Sequence, residues 1–277
     1  MVDSSTRQLF LDIANAAYAI PESINPTQFI LDSIPLLGEH DGEFRERYVY
    51  GTLHRWIASE AISTDGLKRI HLALLGEKAL FSGIGAVESD SVFLRAFAVL
   101  LLVPTLYMHR KQAFLSSEEL AVTCASLSRY LREEKDIRGY VSPEKWWAHG
   151  IAHAADAVGQ LVQCPELQQQ SIKALLEAIA HAMSPETAAF AHEEDTRMAS
   201  ALLKLLKRDD VSVETIEGWL ALVVPQARFE GLLPNVHIRY VNARNFVRCL
   251  FFQARNEGLN DKICALIEAA HRAFPDR

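Results

Sequence analysis

Apolar residues recur at helical spacing along almost every segment of this chain that is longer than ten residues. A sustained alternation of apolar and polar residues, which would indicate half-buried strands, appears nowhere in the sequence. The 277 residues are 49% hydrophobic and 23% charged, as is typical of a soluble globular protein. The pattern therefore predicts an all-α fold.

Caps and helix breakers divide the chain into recurring pairs of helices. The first helices of the pairs begin at positions 41, 90, 143, 185 and 235. The intervals run from about 42 to about 53 residues, near the period of roughly 40–47 residues in HEAT and armadillo repeats. Two of these helices are predicted to run from Ser142 to about Cys164 and from Ser184 to about Arg208.

A helical hairpin does not cover its own apolar faces, so successive hairpins have to stack on one another. We therefore predict a single domain over residues 1–277, built as a HEAT- or armadillo-like α-solenoid. Residues 41–277 would form about five helix pairs, and residues 1–40 would form capping helices at the N-terminal end. An irregular multi-helix bundle with coincidental spacing is the alternative.

Charge, cysteines and the N-terminal sequence narrow the class of protein. With 28 basic and 35 acidic residues the net charge is −7, so no overall attraction for nucleic acid is expected. The four cysteines form no CxxC pair, and the first residues do not resemble a signal peptide. The apolar stretch 92–108 contains Arg95 and Pro104, which favours a core helix over a membrane span. We expect a cytoplasmic protein with neither a nucleic-acid nor a membrane partner.

Polar residues interrupt the apolar pattern of the first helices at several places, among them Arg47, His54 and Arg55 near Trp56. Burying such a group without a partner costs about 1–3 kcal/mol, so these positions indicate internal partners or a functional surface. First helices stack side by side in a solenoid, and the side chains are therefore expected to share one groove. The predicted groove residues are Arg45, Arg95, His149, His153, Asp156, Glu194, Arg197 and Arg248.

Three interpretations of this groove remain open. A binding or scaffolding module would use the arginines to hold a protein, a peptide or a small anionic ligand. A metal-dependent, hydrolase-type enzyme would bind a divalent metal through His149, His153 and Asp156, which fall on one helical stripe, with Glu194 as a further ligand or general base. A structural hydrogen-bond network would need neither, and for Arg95 an ion pair with an acidic residue of an adjacent helix is the structural alternative. No catalytic nucleophile stands out.

Five sequence landmarks occur in a fixed order along the chain. They are Tyr50-Gly-Thr-Leu-His-Arg-Trp-Ile57, Asp90-Ser-Val-Phe-Leu-Arg-Ala-Phe97, Asp136-Ile-Arg-Gly-Tyr140 with Trp147-Ala-His-Gly-Ile-Ala-His-Ala-Ala-Asp156, Glu194-Asp-Thr-Arg-Met-Ala199, and Asn245-Phe-Val-Arg-Cys-Leu-Phe251. In these landmarks the chain resembles a bacterial family known as domain of unknown function 2785, over about residues 41–255. The resemblance implies a helical-repeat-like protein and implies no catalytic residue, substrate or cofactor.

Overall fold

A computed structural model describes residues 2–224 and 231–274 of the chain. Over these residues the regular secondary structure is helical apart from one two-stranded sheet, which confirms the predicted all-α class. The α-helices are α1 (Ser4–Asn15), α2 (Pro26–Ser33), α3 (Gly51–Ala58), α4 (Thr64–Leu74), α5 (Ser91–Lys111), α6 (Ser117–Glu133), α7 (Gly150–Leu161), α8 (Gln169–Ala182), α9 (Glu194–Leu206), α10 (Val213–Val223), α11 (Asn235–Asn256) and α12 (Asp261–Arg272).

The chain divides into two compact units, and each is described by itself. The first unit comprises Met1–Glu119 and Glu133–Ala157, and the second comprises Leu120–Arg132 and Val158–Arg277. The prediction of one domain over the whole chain stays a prediction.

Helix α5 lies at the centre of the first unit, where it packs against α3, α4 and a 3₁₀ helix at Ile34–Gly38. It is the one described helix that is long and apolar enough to cross a membrane. However, 72% of its apolar window is buried inside the protein. This burial favours the predicted core helix, because a span facing lipid would expose its apolar side chains.

A π-helix over Phe44–Tyr50 leads directly into α3. The combined element agrees with the helix predicted to begin at position 41, but its first turns are wound more widely than an α-helix. Such π-helical turns are rare and occur frequently at functional sites. This element carries Arg45 and, on its continuation into α3, His54 and Arg55.

The helix predicted to begin at Ser142 begins only at Gly150. The residues before it form a two-stranded antiparallel sheet, β1 (Tyr140–Ser142) and β2 (Trp146–Trp147). Trp146 and His149 both have a left-handed backbone, with φ of 57° in each case. These two conformations interrupt helical geometry, so the predicted helix start is wrong by about two turns.

In the second unit, the helices that end successive hairpins lie next to one another. Helix α10 packs against both α8 and α12, and α11 packs against α9 and α12. Two helices that begin hairpins, α9 and α11, therefore contact each other, as do the helices that end hairpins. The Ser200 hydroxyl on α9 donates a hydrogen bond to Gln253 of α11 over 3.0 Å, and the Gln253 amide returns one to the Thr196 carbonyl over 3.1 Å.

The helix predicted to begin at Ser184 begins at Glu194 instead. Asn242 of α11 is buried, and it holds the preceding segment in an irregular conformation. Its amide nitrogen donates to the carbonyls of Pro185 and Ala188 over 3.1 and 3.0 Å, and its oxygen accepts from the Phe190 N–H over 2.9 Å. These three bonds satisfy backbone groups that a helix would otherwise pair within itself.

Candidate functional site

Arg45 is completely buried in the first unit. Its guanidinium donates to the carbonyls of Glu39 at 2.6 Å and Trp147 at 3.2 Å, and also to that of Lys145. The same group lies 4.1 Å from the centre of the Phe93 ring. Arg45 therefore joins the π-helix to the β1–β2 hairpin, and its burial leaves no surface on which it would meet a ligand.

Arg95 is also completely buried, and its partner is the equally buried carboxylate of Glu134. The two groups form a bidentate pair, with Nε to Oε2 at 2.6 Å and Nη2 to Oε1 at 2.9 Å. The remaining donors reach the Gly83 and Ala86 carbonyls and the Ser91 hydroxyl at 3.0–3.1 Å. The ion pair predicted as the structural alternative for Arg95 is thus present, although Glu134 lies directly after α6 and not on a helix.

His149 and His153 lie close together, but not on one helical stripe, because His149 precedes α7 in a left-handed conformation. Their ring centres are 5.7 Å apart, and His149 stacks on Trp147 with 4.7 Å between ring centres. His153 is buried, and its Nδ1–H donates to the Ala96 carbonyl over 3.1 Å. Asp156 is half-buried on α7. The stripe derived from ideal helical angles is therefore wrong for His149.

Within residues 2–224 and 231–274, no group of three or more His, Cys, Asp or Glu side chains is arranged to hold a metal ion. The predicted divalent metal at His149, His153, Asp156 and Glu194 stays a prediction. His153 uses Nδ1 for the Ala96 carbonyl, so this nitrogen would not be available for such an ion.

The remaining predicted groove residues belong to the second unit. Glu194 is buried, and its Oε2 accepts the backbone N–H of His192 over 2.9 Å, which helps to begin α9. Arg197 is half-buried on the same helix. Arg248 is exposed on α11, and its Nε lies 3.0 Å from Nε2 of His271 on α12. Each unit thus contains part of the predicted groove, and the groove as a whole stays a prediction.

A pocket of about 450 Å³ opens beside the π-helix in the first unit. It is lined by Tyr18, Glu46, Arg47, Tyr50, Gly51, His54 and Arg55. Two exposed guanidinium groups, two phenol rings and an imidazole therefore converge on one concave surface. This combination suits an organic anion, because arginine binds carboxylates and phosphates through paired N–H groups while aromatic walls contact an apolar body.

Arg55 is held in place within this pocket. Its Nη1 donates to the Gly51 carbonyl over 2.9 Å, and its guanidinium lies 4.0 Å from the centre of the Tyr18 ring. These contacts fix the side chain while using only one of its five N–H donors. Arg47 is more loosely held, since its contact with Glu43 is 3.4 Å long and both side chains are exposed. Both arginines thus retain donors for a ligand.

The other ionisable groups of the pocket are partly desolvated. Burial raises the pKa of the Glu46 carboxyl, although the Trp147 N–H and Arg45, both bonded to it, act in the opposite direction. Burial and the nearby charge of Arg55 lower the pKa of His54. His54 is therefore neutral near pH 7. Its Nδ1 lies 3.1 Å from the Tyr50 hydroxyl oxygen.

The pocket is connected to the predicted histidines through Phe97. The Tyr50 ring packs edge-on against Phe97 with centres 5.7 Å apart, and Phe97 packs in the same way against His153 at 5.2 Å. The Arg45 guanidinium also lies near this ring, 5.0 Å from the Phe97 ring centre. The buried aromatic cluster thus supports the inner wall of the pocket.

Arg47, His54 and Arg55 interrupt the apolar pattern of the sequence, but only the neighbouring Arg45 was predicted to line the groove. A signal for the pocket was present, because Arg47, Gly51 and Arg55 recur every four residues, as do Tyr50 and His54. The contribution of Tyr18 was missed, since it comes from the segment interpreted as an N-terminal cap. Its approach to α3 depends on tertiary packing, as shown by the Trp56 indole N–H, which donates to the Tyr18 carbonyl over 2.9 Å.

Comparison with known proteins gives one match. Neither a curated protein nor a solved structure matches the chain. One family matches over residues 80–252, a range that contains four of the five landmarks and begins after the first. Because this match spans more than half of the chain, the chain belongs to the family described as Protein of unknown function (DUF2785).

Proposed function

We propose that the protein is a helical-repeat binding module that holds a small organic anion in the pocket beside the π-helix. The observation that carries this proposal is the convergence of Arg47 and Arg55, with unused donors, on a pocket of about 450 Å³. The volume lies in the range of roughly 300–1,000 Å³ that is usual for small-molecule sites. The ligand class is a compound with a carboxylate or phosphate group and a body small enough to lie between Tyr18 and Tyr50.

The helical-repeat part of the proposal is supported by the second unit. There α10 contacts α8 and α12, and α9 contacts α11, which is the neighbour pattern expected of stacked hairpins in a HEAT- or armadillo-like solenoid. A cytoplasmic location is part of the same proposal, since the described cysteines are all free and three of them are buried.

The test is isothermal titration calorimetry with inorganic phosphate, citrate and benzoate as separate probes. We expect at least one probe to bind, and Arg55→Met to weaken it by about tenfold or more, since a charged hydrogen bond contributes about 1.5–3 kcal/mol. Arg47→Met should have a smaller effect. Neither change should lower the free energy of unfolding by more than about 0.5 kcal/mol, because both side chains are exposed.

Arg69→Met provides the matched control. Arg69 is an exposed arginine of α4 that does not line the pocket, and its replacement changes the net charge by the same amount. Affinity in this variant should equal that of the unchanged protein. Equal losses in Arg55→Met and Arg69→Met would show a general charge effect and would contradict the proposed pocket.

A further inference from the structure

A second concave surface lies in the second unit, in the groove between α8 and α10. It encloses about 520 Å³. Its lining residues are Lys173, Leu176, Glu177, Glu214, Thr215, Gly218, Trp219 and Leu222. The floor is apolar, because Leu176 and Trp219 are each only 3% exposed, while Leu222 is 46% exposed at the edge.

The indole of Trp219 provides an independent observation. Its Nε1–H is buried and has no hydrogen-bond partner among the described residues. The Trp219 ring packs against Phe246 of α11 in a T-shaped arrangement, with 6.1 Å between ring centres. A buried donor without an acceptor is unusual in proteins, and a bound molecule with an acceptor oxygen would satisfy it.

Gly218 keeps the groove open. A Cβ atom at this position would meet no atom within 4 Å, so the absence of a side chain creates space rather than avoiding a clash. Glycine lowers the stability of a helix interior, and α10 has it at a site where any other residue would fit. The glycine therefore leaves open space at this side of the groove.

The charges at the rim do not favour an ion. Lys173 and Glu177 lie on α8, Glu214 lies on α10, and Glu177 is 3.8 Å from Arg132. One positive and two negative side chains thus line the groove, all of them exposed, and one of the two negative side chains is paired with Arg132. An uncharged ligand would lose the least hydration free energy on moving from water into such a site.

We propose that the groove between α8 and α10 binds an uncharged apolar small molecule that carries a hydrogen-bond acceptor. The site is separate from the anion pocket and uses different residues. Its volume accommodates a molecule of two fused rings with a short substituent.

The probe is Prodan, an uncharged naphthyl ketone whose fluorescence shifts to shorter wavelength in apolar surroundings. We expect saturable binding to the full chain. Gly218→Leu should weaken binding by about tenfold or more, because the new side chain occupies the groove, and Trp219→Phe by about threefold to tenfold, which corresponds to one hydrogen bond. The matched control is Ala221→Leu, an exposed position of α10 outside the groove, which should change affinity less than about twofold.

Leu222→Ser provides a second test, since this exposed side chain can be changed without affecting the buried floor. It should weaken binding as well. Binding that is not saturable, or binding that is equal in Gly218→Leu and Ala221→Leu, would overturn the proposal. Tighter binding of the anionic dye anilinonaphthalene sulfonate than of Prodan would overturn the uncharged ligand class and would indicate a role for Lys173.

Discussion

Two pairs of arginines in the first unit differ in what surrounds them. Arg45 and Arg95 have no exposed surface, and each is held by several protein groups. Arg47 and Arg55 are exposed beside a pocket, and each donates a single side-chain hydrogen bond to the described part of the protein. The residue type is the same in both pairs, and complete burial among several protein partners separates the structural arginines from those that we propose to bind a ligand. This difference explains why polar residues in apolar helices do not by themselves mark a site.

The largest expected loss of unfolding free energy comes from Arg95→Met, which tests the structural role of a buried arginine. The change leaves the Glu134 carboxylate buried without its cation, and breaking a buried ion pair in this way costs about 3–5 kcal/mol. Urea unfolding followed by circular dichroism measures the loss. The double variant Arg95→Met, Glu134→Leu should recover much of it, because no buried charge is then left. A loss below about 1 kcal/mol in the single variant would contradict the structural role.

An intermediate effect is expected from the pH dependence of stability, because His71 is fully buried on α4. Burial, helped by the nearby His109, lowers its pKa from 6.5 to about 3. Between these values the unfolded chain binds a proton that the folded chain excludes. The free energy of unfolding should therefore fall as the pH decreases below about 6.5, by up to about 1.4 kcal/mol per pH unit.

His71→Gln should remove this part of the slope, and urea unfolding between about pH 7 and about pH 5 measures it. His54→Gln is the control from the pocket, because His54 is only half-buried and its pKa is lowered to a lesser degree. The wild-type slope should therefore change less in this variant than in His71→Gln. Parallel curves for wild type and His71→Gln would show that His71 is not the group responsible.

Much of the helical organisation follows from local sequence, and the capping residues show why. Ser63 and Ser212 each accept a backbone N–H three residues later, and in both cases a helix begins at the next residue, as is typical of a serine N-cap. The predicted starts at Ser142 and Ser184 are wrong although serine, proline and glutamate occur at both. In each case a distant side chain decides the conformation: Arg45 holds the β1–β2 hairpin, and Asn242 holds the loop before α9. Local patterns do not contain such contacts.

The candidate site was predictable to a smaller extent. Polar interruptions of the apolar pattern fall in the π-helix region, but the sequence does not show which arginine turns inward. A π-helix shifts the following side chains relative to an α-helix, so helical angles calculated from a regular period misplace them. The same limitation applies to His149, whose left-handed backbone is decided by the turn after β2.

The smallest expected effect on stability comes from Gly51→Ala, which tests how firmly Arg55 has to be held. A Cβ atom at this position would lie 3.1 Å from Nη1 of Arg55 and 3.5 Å from the Glu46 carbonyl. The guanidinium is the end of a flexible side chain, so it can move away at low cost. Alanine also favours the helix by about 0.5–1 kcal/mol relative to glycine. The free energy of unfolding should therefore rise by a few tenths of a kcal/mol, which is less than this full gain. Affinity for the anion that binds should nevertheless fall several-fold, because Arg55 is displaced from its position over Tyr18, and titration calorimetry measures this fall. Gly218→Ala in the second unit is the control, because this position has space for a Cβ atom and the change should stabilise its helix without changing anion affinity. If Gly51→Ala also leaves anion affinity unchanged, the orientation of Arg55 is irrelevant to binding.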